Sequence, residues 1–113
     1  MLYFMICALA AALPAYAGGF VEVDLIIKDH KFHPETLKLP AGKKIRITVH
    51  NQDSTIEEFE SIDLKREKIV LGNSKARVIL APLKPGTYKF FGEFHEETAQ
   101  GKIVVEQETG KDV

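Results

Sequence analysis

The side chains with the most capacity for chemistry are carboxylates and imidazoles in two stretches of the sequence. Glu57, Glu58 and Glu60 fall in one short segment, and Glu93 and His95 fall in another, "GEFHEETAQG". Carboxylate oxygens and imidazole nitrogens ligate hard and borderline cations, although most runs of charge are only solvated faces. These two stretches therefore matter for function only if the fold brings them together.

Sulfur is confined to the first 17 residues, which contain Cys7, Met1 and Met5. This segment is uncharged, is apolar over most of its length and ends in a small-x-small pattern at Ala15–Ala17. It predicts a secretory signal peptide over residues 1–17 and export to the periplasm. The mature chain would then have no sulfur, no disulfide and no membrane span. An uncleaved anchor is the alternative, and the missing basic residue before the apolar run leaves open a start further upstream.

The remaining composition excludes some classes of function. The chain has 15 basic and 16 acidic residues, and its formal net charge of -1 argues against a nucleic-acid partner. Neither a glycine-rich phosphate loop nor a recognisable Ser/His/Asp arrangement is found, and no cysteine nucleophile remains after residue 17. The sequence therefore leans against an enzyme.

Apolar and polar residues alternate through most of residues 18–108, which predicts strands. "IEEFESIDL" fits either a strand or a helical turn, and residues 109–113 form a polar tail. Turn signals recur roughly every 8 to 12 residues, the spacing of a β-sandwich or barrel. The predicted strands lie at Val21–Ile27, Leu37–Leu39, Ile45–Val49, "KIVL", "ARVILAPL", Tyr88–Gly92 and "GKIVVEQ".

Two separated motifs resemble those of the cupredoxin family. "FHPETLKLPAGKKIRITVHNQD" resembles the family's F-x-P, its apolar-x-apolar-P-x-G and its Asn-x-Asp loop, and "PLKPGTYKFFGEFH...GKIVV" resembles its closing hairpin. The resemblance implies an all-β, Greek-key β-sandwich of seven to eight strands over residues 18–108. A generic immunoglobulin-like sandwich, which shares the strand rhythm, is the alternative.

The family's copper lies at one end of the sandwich, bound by two His, a Cys and usually a Met. Carried over by position, the first His corresponds to Glu57, or to Glu58 if the loop register shifts by one. The Cys corresponds to Gly92, the second His is retained as His95, and the Met corresponds to Ala99. Because a blue copper centre needs a thiolate, the resemblance implies a non-blue site of imidazole and carboxylate.

The family's first turn also lies at the metal end, which adds His33 and, behind it, His30. One site for a copper or iron ion is expected, since nitrogen and oxygen donors suit Cu(II), iron, Mn(II) or Zn(II) better than Cu(I). Exposed, unligated positions for His33 and His95 are the alternative, and a regular strand would point Glu93 outward. The expected ligands are His95, Glu57, His33 and Glu93, with Glu58, Glu60 and His30 as further candidates.

The segments "DSTIEEFES", "REKIV" and "FFGEFHEETAQG" resemble the cupredoxin component of bacterial ferrous-iron uptake operons. This implies handling of iron, together with copper, or electron transfer in the periplasm, and possible assistance to ferrous-iron oxidation. The partners implied are a periplasmic iron- and copper-binding protein and an inner-membrane iron permease. The alternatives are a metal-free sandwich that binds a protein through its acidic end, and sequestration of Cu(II).

Overall fold

The computed structural model describes residues 15–108, with side chains from residue 18, and shows ten strands and one 3-10 turn. The signal-peptide prediction falls outside the described residues apart from Ala15–Ala17, as does the tail at 109–113. No helix in the described part is long and apolar enough to cross a membrane. The elements are β1 (Ala15–Ala17), β2 (Phe20–Lys28), β3 (Lys31–His33), β4 (Thr36–Pro40), β5 (Lys44–Asn51), β6 (Glu57–Ser61), β7 (Arg66–Val70), β8 (Ser74–Leu80), β9 (Gly86–Gly92), the 3-10 turn (Glu93–His95) and β10 (Gln100–Glu106).

The strands form two sheets of five, which confirms the predicted all-β Greek-key sandwich. The first sheet has the order β1-β2-β5-β8, with β3 also paired to β2, and the second has the order β4-β10-β9-β6-β7. β2 pairs with β5, and β4 with β10, in parallel, whereas the other neighbours are antiparallel. The strands number ten instead of seven or eight because the three-residue strands β1 and β3 were not predicted.

Alternating burial shows why these segments are strands. In β5, the buried residues Ile45, Ile47 and Val49 alternate with exposed or half-buried neighbours, as expected for a strand with one face on the core. The ambiguous segment "IEEFESIDL" also contains a strand, because Glu57–Ser61 alternates between buried and half-buried residues. β6 is therefore a strand and not a helical turn.

Three phenylalanines, one from β3 and two from the second sheet, form the centre of the core. Phe32 packs edge-on against Phe90 with ring centroids 5.0 Å apart, and Phe59 stacks on Phe90 at 5.1 Å. All three side chains are at most 1% exposed. The three rings therefore form an interlocked aromatic layer in the core.

Truncating this layer should destabilise the whole domain. Replacing Phe59 with Ala should lower the free energy of unfolding by about 3–5 kcal/mol, because it leaves a cavity between Phe32 and Phe90. Urea unfolding followed by circular dichroism measures the change. The control is Lys38→Ala at an exposed position of β4, which should change stability by no more than about 0.5 kcal/mol. Equal effects of the two substitutions would contradict this account of the core.

Candidate functional site

A buried carboxylate forms the centre of one end of the sandwich. Glu57 is 1% exposed, although it is charged at neutral pH in water. Its Oε1 accepts hydrogen bonds from the backbone N–H of Phe94 at 2.9 Å and of Glu58 at 3.0 Å. Its Oε2 accepts a hydrogen bond from Nδ1 of His95 at 2.6 Å. Three donors thus replace the water that the carboxylate loses on burial.

The secondary structure accounts for this arrangement. Alternation along β6 turns Glu57 inward together with Phe59, so the carboxylate enters the interior beside β9. The 3-10 turn after β9 then aims the backbone N–H of Phe94 and the ring of His95 at the same point. Glu57 and His95, predicted to share a site, are therefore in direct contact.

Gly92 leaves the space that the Glu57 carboxylate occupies. A Cβ atom at residue 92 would lie 2.7 Å from Cδ and Oε2 of Glu57, and 2.7 Å from Cβ of Ala99, all closer than real contacts allow. The N–H of Gly92 donates to the carbonyl of Ala99 at 2.9 Å. The four positions carried over from the cupredoxin ligands, completed by His95, thus converge at one point.

A second imidazole lies on the first. The rings of His30 and His95 stack with centroids 3.6 Å apart and planes 13° from parallel. Nε2 of His30 lies 3.3 Å from the hydroxyl of Thr55, and the hydroxyl of Thr98 donates to the His30 carbonyl at 2.6 Å. His30, a secondary candidate in the sequence, is therefore a component of the site.

Asp53 holds His30 in place, a role that sequence reasoning missed. Asp29 and His30 form a two-residue hairpin loop with φ of 55° and 59°, the positive values required by a type I′ turn and unfavourable without glycine. The carboxylate of Asp53 accepts hydrogen bonds from the N–H groups of both residues, at 2.8 and 2.9 Å. Burial raises the pKa of this carboxyl, but these two N–H donors, with the charges of His30 and Lys28, outweigh it and leave the pKa below its ordinary value.

The amide of Asn51 in turn fixes the loop that carries Asp53. This side chain is 2% exposed; its Oδ1 accepts from the N–H of Asp53, and its Nδ2 donates to the carbonyls of Thr55 and Val70. The Asn-x-Asp motif marked this loop in the sequence, but nothing in the pattern assigned Asn51 the role of fixing it. The loop is therefore set by a buried amide and not by its own propensity.

The surface beside the two imidazoles is a shallow groove with an acidic rim. Glu93, predicted as a ligand, is exposed on this rim, whereas the carboxylate of Glu57 is buried. The groove combines imidazole nitrogen with several solvated carboxylates. It is lined by His30, Glu93, Phe94, His95, Glu96, Glu97 and Thr98.

Other predicted site residues lie apart from this groove. His33 is exposed on β3 and donates from Nε2 to the Lys28 carbonyl at 3.2 Å. Glu58 and Glu60 point to the opposite face of β6 from Glu57, as expected for alternate residues of a strand. The structure thus brings together Glu57, His95 and His30, with Glu93 at the rim, but not the other three.

Glu58 and Glu60 instead form an acidic trio with Glu67 on the outer face of the second sheet. Oxygen atoms of the three side chains lie within 4.8 Å of one another. A hydrogen bond and like charge from Glu67 raise the pKa of Glu58; burial, then the charges of Glu67 and other carboxylates, raise the pKa of Glu60. Glu67 forms no ion pair with its chain neighbour Lys68, since adjacent strand residues face opposite sides.

The donor atoms decide which kind of copper fits. A thiolate centre does not, because residues 18–108 contain no sulfur and the space beside Cα of Gly92 is filled by the carboxylate and by Ala99. A Cu(II) or iron ion bound by nitrogen and oxygen does fit the chemistry of His95, His30 and the rim carboxylates. The donor atoms that the described residues bring together at this end are therefore nitrogen and oxygen.

Comparison with known proteins agrees with the fold. Residues 1–105 match the model of the cupredoxin-like domain family, and the chain belongs to this family. An uncharacterized protein of Rickettsia prowazekii (strain Madrid E) is 56% identical over 87 residues, which cover 77% of this chain and 70% of that protein.

Several solved structures share the fold at low sequence identity. One is the metal-binding domain of the Cu(I)-exporting P-type ATPase CopA of Streptococcus pneumoniae D39, solved with Cu(I). Its TM-score is 0.71 at 14% sequence identity, and the match covers 83% of this chain and 93% of that domain. Auracyanin A, a "blue" copper protein of Chloroflexus aurantiacus, has a TM-score of 0.67 at 18% identity, with coverage of 78% and 100%. A copper-binding protein solved in the apo form has a TM-score of 0.69 at 17% identity, with coverage of 82% and 94%.

Removing the Asp53 carboxylate should loosen the His30 turn. Asp53→Ala should lower the free energy of unfolding by about 1–2 kcal/mol, because two left-handed residues lose their charged acceptor. It should also shift the ring proton resonances of His30 and His95, since their stacking depends on the turn. Asp63→Ala is the matched control: it removes an acceptor of one backbone N–H, that of Lys89, and should leave both rings unchanged. Identical spectra for the two variants would show that Asp53 does not position His30.

The acidic trio should make stability depend on pH. The pKa of Glu58 is raised in the folded state. Its contribution to the free energy of unfolding is therefore fully present below about pH 4, and it is lost as the pH rises through the folded-state pKa. Glu58→Gln should therefore raise the melting temperature of the dilute, monomeric protein at pH 7 and leave it nearly unchanged at pH 3. Glu106→Gln, at an exposed position of β10, is the control and should do neither. A lower melting temperature for Glu58→Gln at pH 7 would contradict the repulsion.

Proposed function

We propose that this cupredoxin-like protein binds a copper or iron ion in the groove beside His95, through imidazole and carboxylate donors. The observation that carries the proposal is the hydrogen bond from Nδ1 of His95 to the buried Glu57. It leaves the second ring nitrogen, Nε2, on the side away from the carboxylate and available as a ligand. The rim carboxylates, including Glu93, supply oxygen donors beside the same ring.

In this proposal Glu57 orients the ligand histidine and does not itself bind the ion. Metal-binding histidines usually donate their other N–H to a carboxylate, which fixes the tautomer and raises the basicity of the coordinating nitrogen. Glu57 has this relation to His95, and its other oxygen is already bound by two backbone N–H groups. Its burial keeps the carboxylate from turning toward solvent, so the ring of His95 is held in one orientation.

The bound ion would supply charge neutralisation or a single-electron redox step, which suits a copper-binding or electron-transfer type of protein. Solvated carboxylates at the rim favour the harder ferric ion over Cu(I). Together with the resemblance to ferrous-iron uptake components, this supports iron as the cargo, with the periplasmic iron- and copper-binding protein and the iron permease as partners. The predicted signal peptide supports a periplasmic location, and N-terminal sequencing of the secreted protein tests it.

A metal-free docking role is the second candidate, and one observation favours it. In the described part of the chain, no buried side-chain nitrogen or oxygen lacks a hydrogen-bond partner. The Glu57–His95 pair is thus complete without an ion. In that case the acidic rim and the 47% exposed Phe94 would contact a basic protein.

Titration with Cu(II) and with Fe(II), followed by electron paramagnetic resonance and X-ray absorption, tests the two candidates. One bound ion with imidazole nitrogen and oxygen neighbours, and no sulfur, is expected. His95→Ala should abolish this binding, and Glu57→Gln should weaken it by about 10–100-fold, the usual effect of losing a carboxylate that orients a ligand.

The control is His33→Ala, which removes an exposed imidazole outside the groove and should bind as the wild type does. Equal binding by wild type and His95→Ala would reject the metal site and favour the docking role. Loss of binding in His33→Ala with retention in His95→Ala would place the ion elsewhere.

A further inference from the structure

The side of the sandwich formed by β7 and β8 carries an unusual set of exposed residues. β7 is the last strand of the second sheet and β8 the last strand of the first, so each has one edge without a neighbouring strand in its sheet. The side chains of Arg66 to Ile69 are all exposed. Such edges are usually kept short or covered because they can pair with another chain.

Apolar side chains cluster at this side. Six large hydrophobic residues are exposed in the part of the chain with described side chains, and four of them lie on or beside β7 and β8. They are Ile62 at 73%, Ile69 at 45%, Leu71 at 60% and Ile79 at 43% exposure. Ile69 faces outward on the second sheet, opposite Glu58, and Ile79 faces outward on the first sheet, so these residues lie on both sides of the open edge. A partner that covers the whole edge would contact both sets.

The two faces of β7 carry opposite charge. Glu67 joins Glu58 and Glu60 in the acidic trio on the outer face of the sheet. Arg66 and Lys68 point to the other face, and they line two grooves with Arg77 and Lys75 of β8, which Glu67 and Asp24 also line. We call these four cations the basic seam. Among the described residues, Lys68, Lys75 and Arg77 make no ion pair.

We propose that this side of the sandwich is the interface between two copies of the chain. A two-fold axis parallel to β7 turns the second copy over, so that the basic seam of each copy faces the acidic trio of the other. The contact is self-complementary, as a symmetric dimer requires, and it buries the four isoleucine and leucine side chains. Charge complementarity therefore selects a second copy as the occupant. This surface lies outside the metal groove, and the inference is independent of the proposed function.

Sedimentation velocity of the protein purified after expression of the full chain tests the proposal. Wild type should dimerise, with a dissociation constant that rises with salt, because the screening length falls from about 10 Å at 0.1 M to about 3 Å at 1 M. Lys68→Glu/Arg77→Glu should weaken the dimer at least tenfold, and so should Glu60→Lys/Glu67→Lys. Mixing the two double variants should restore a dimer, because both surfaces of the first variant are then acidic and both surfaces of the second are basic.

The matched control is Lys38→Glu/Lys102→Glu, which makes the same change of charge at exposed positions of β4 and β10. It should dimerise as wild type does. A wild type that stays monomeric at low salt overturns the proposal. So does a dimer that survives both charge reversals, is lost in the control, or is not restored in the mixture. Circular dichroism of each variant confirms that loss of the dimer is not loss of the fold.

Discussion

The burial of the Glu57 carboxylate is the constraint on which the site end of this domain depends. A carboxylate taken out of water is costly unless donors replace its hydration, and here the replacements come from β6 itself and from the 3-10 turn after β9. The turn therefore cannot move without exposing the Glu57 carboxylate to solvent or removing its hydrogen-bond donors. As a result the ring of His95 is positioned by the same interaction that makes burial of the acid tolerable.

The same interaction shows how a cupredoxin-like fold can accommodate a buried carboxylate beside the position of Gly92. A side chain at residue 92 and the carboxylate of Glu57 compete for one volume, so a cysteine there would require the acid to leave. Soft sulfur and hard oxygen are thus alternatives within one scaffold. This agrees with the general rule that a fold sets the place of a site and the residues at that place set its chemistry.

The alternation of apolar residues was enough to predict β2, β4, β5 and the last three strands, because each has one face on the core. It was not enough for β3, since the turn before it contains Asp29 and His30 in place of the usual Asn-Gly and depends on Asp53, more than 20 residues away. This turn also decides which histidine reaches the site. His30 lies at the tip and meets His95, whereas His33 pairs with Ile26 inside the sheet and faces solvent. The contact between Glu57 and His95 was predictable only through the family's register, because no local pattern joins residues 38 apart.

The charges of β7 also illustrate what a sequence pattern conceals. Arg66, Glu67 and Lys68 follow one another, so their net charge is small and the stretch reads as an ordinary solvated strand. Because successive side chains face opposite sides, this alternation places one sign on each face of the edge. Charges on an edge strand commonly prevent it from pairing with another chain. The charges of β7 would repel a second copy only if that copy had the same orientation. They would attract a second copy that is turned over. The exposed apolar residues beside them have no role in repulsion, and they therefore favour contact over protection at this edge.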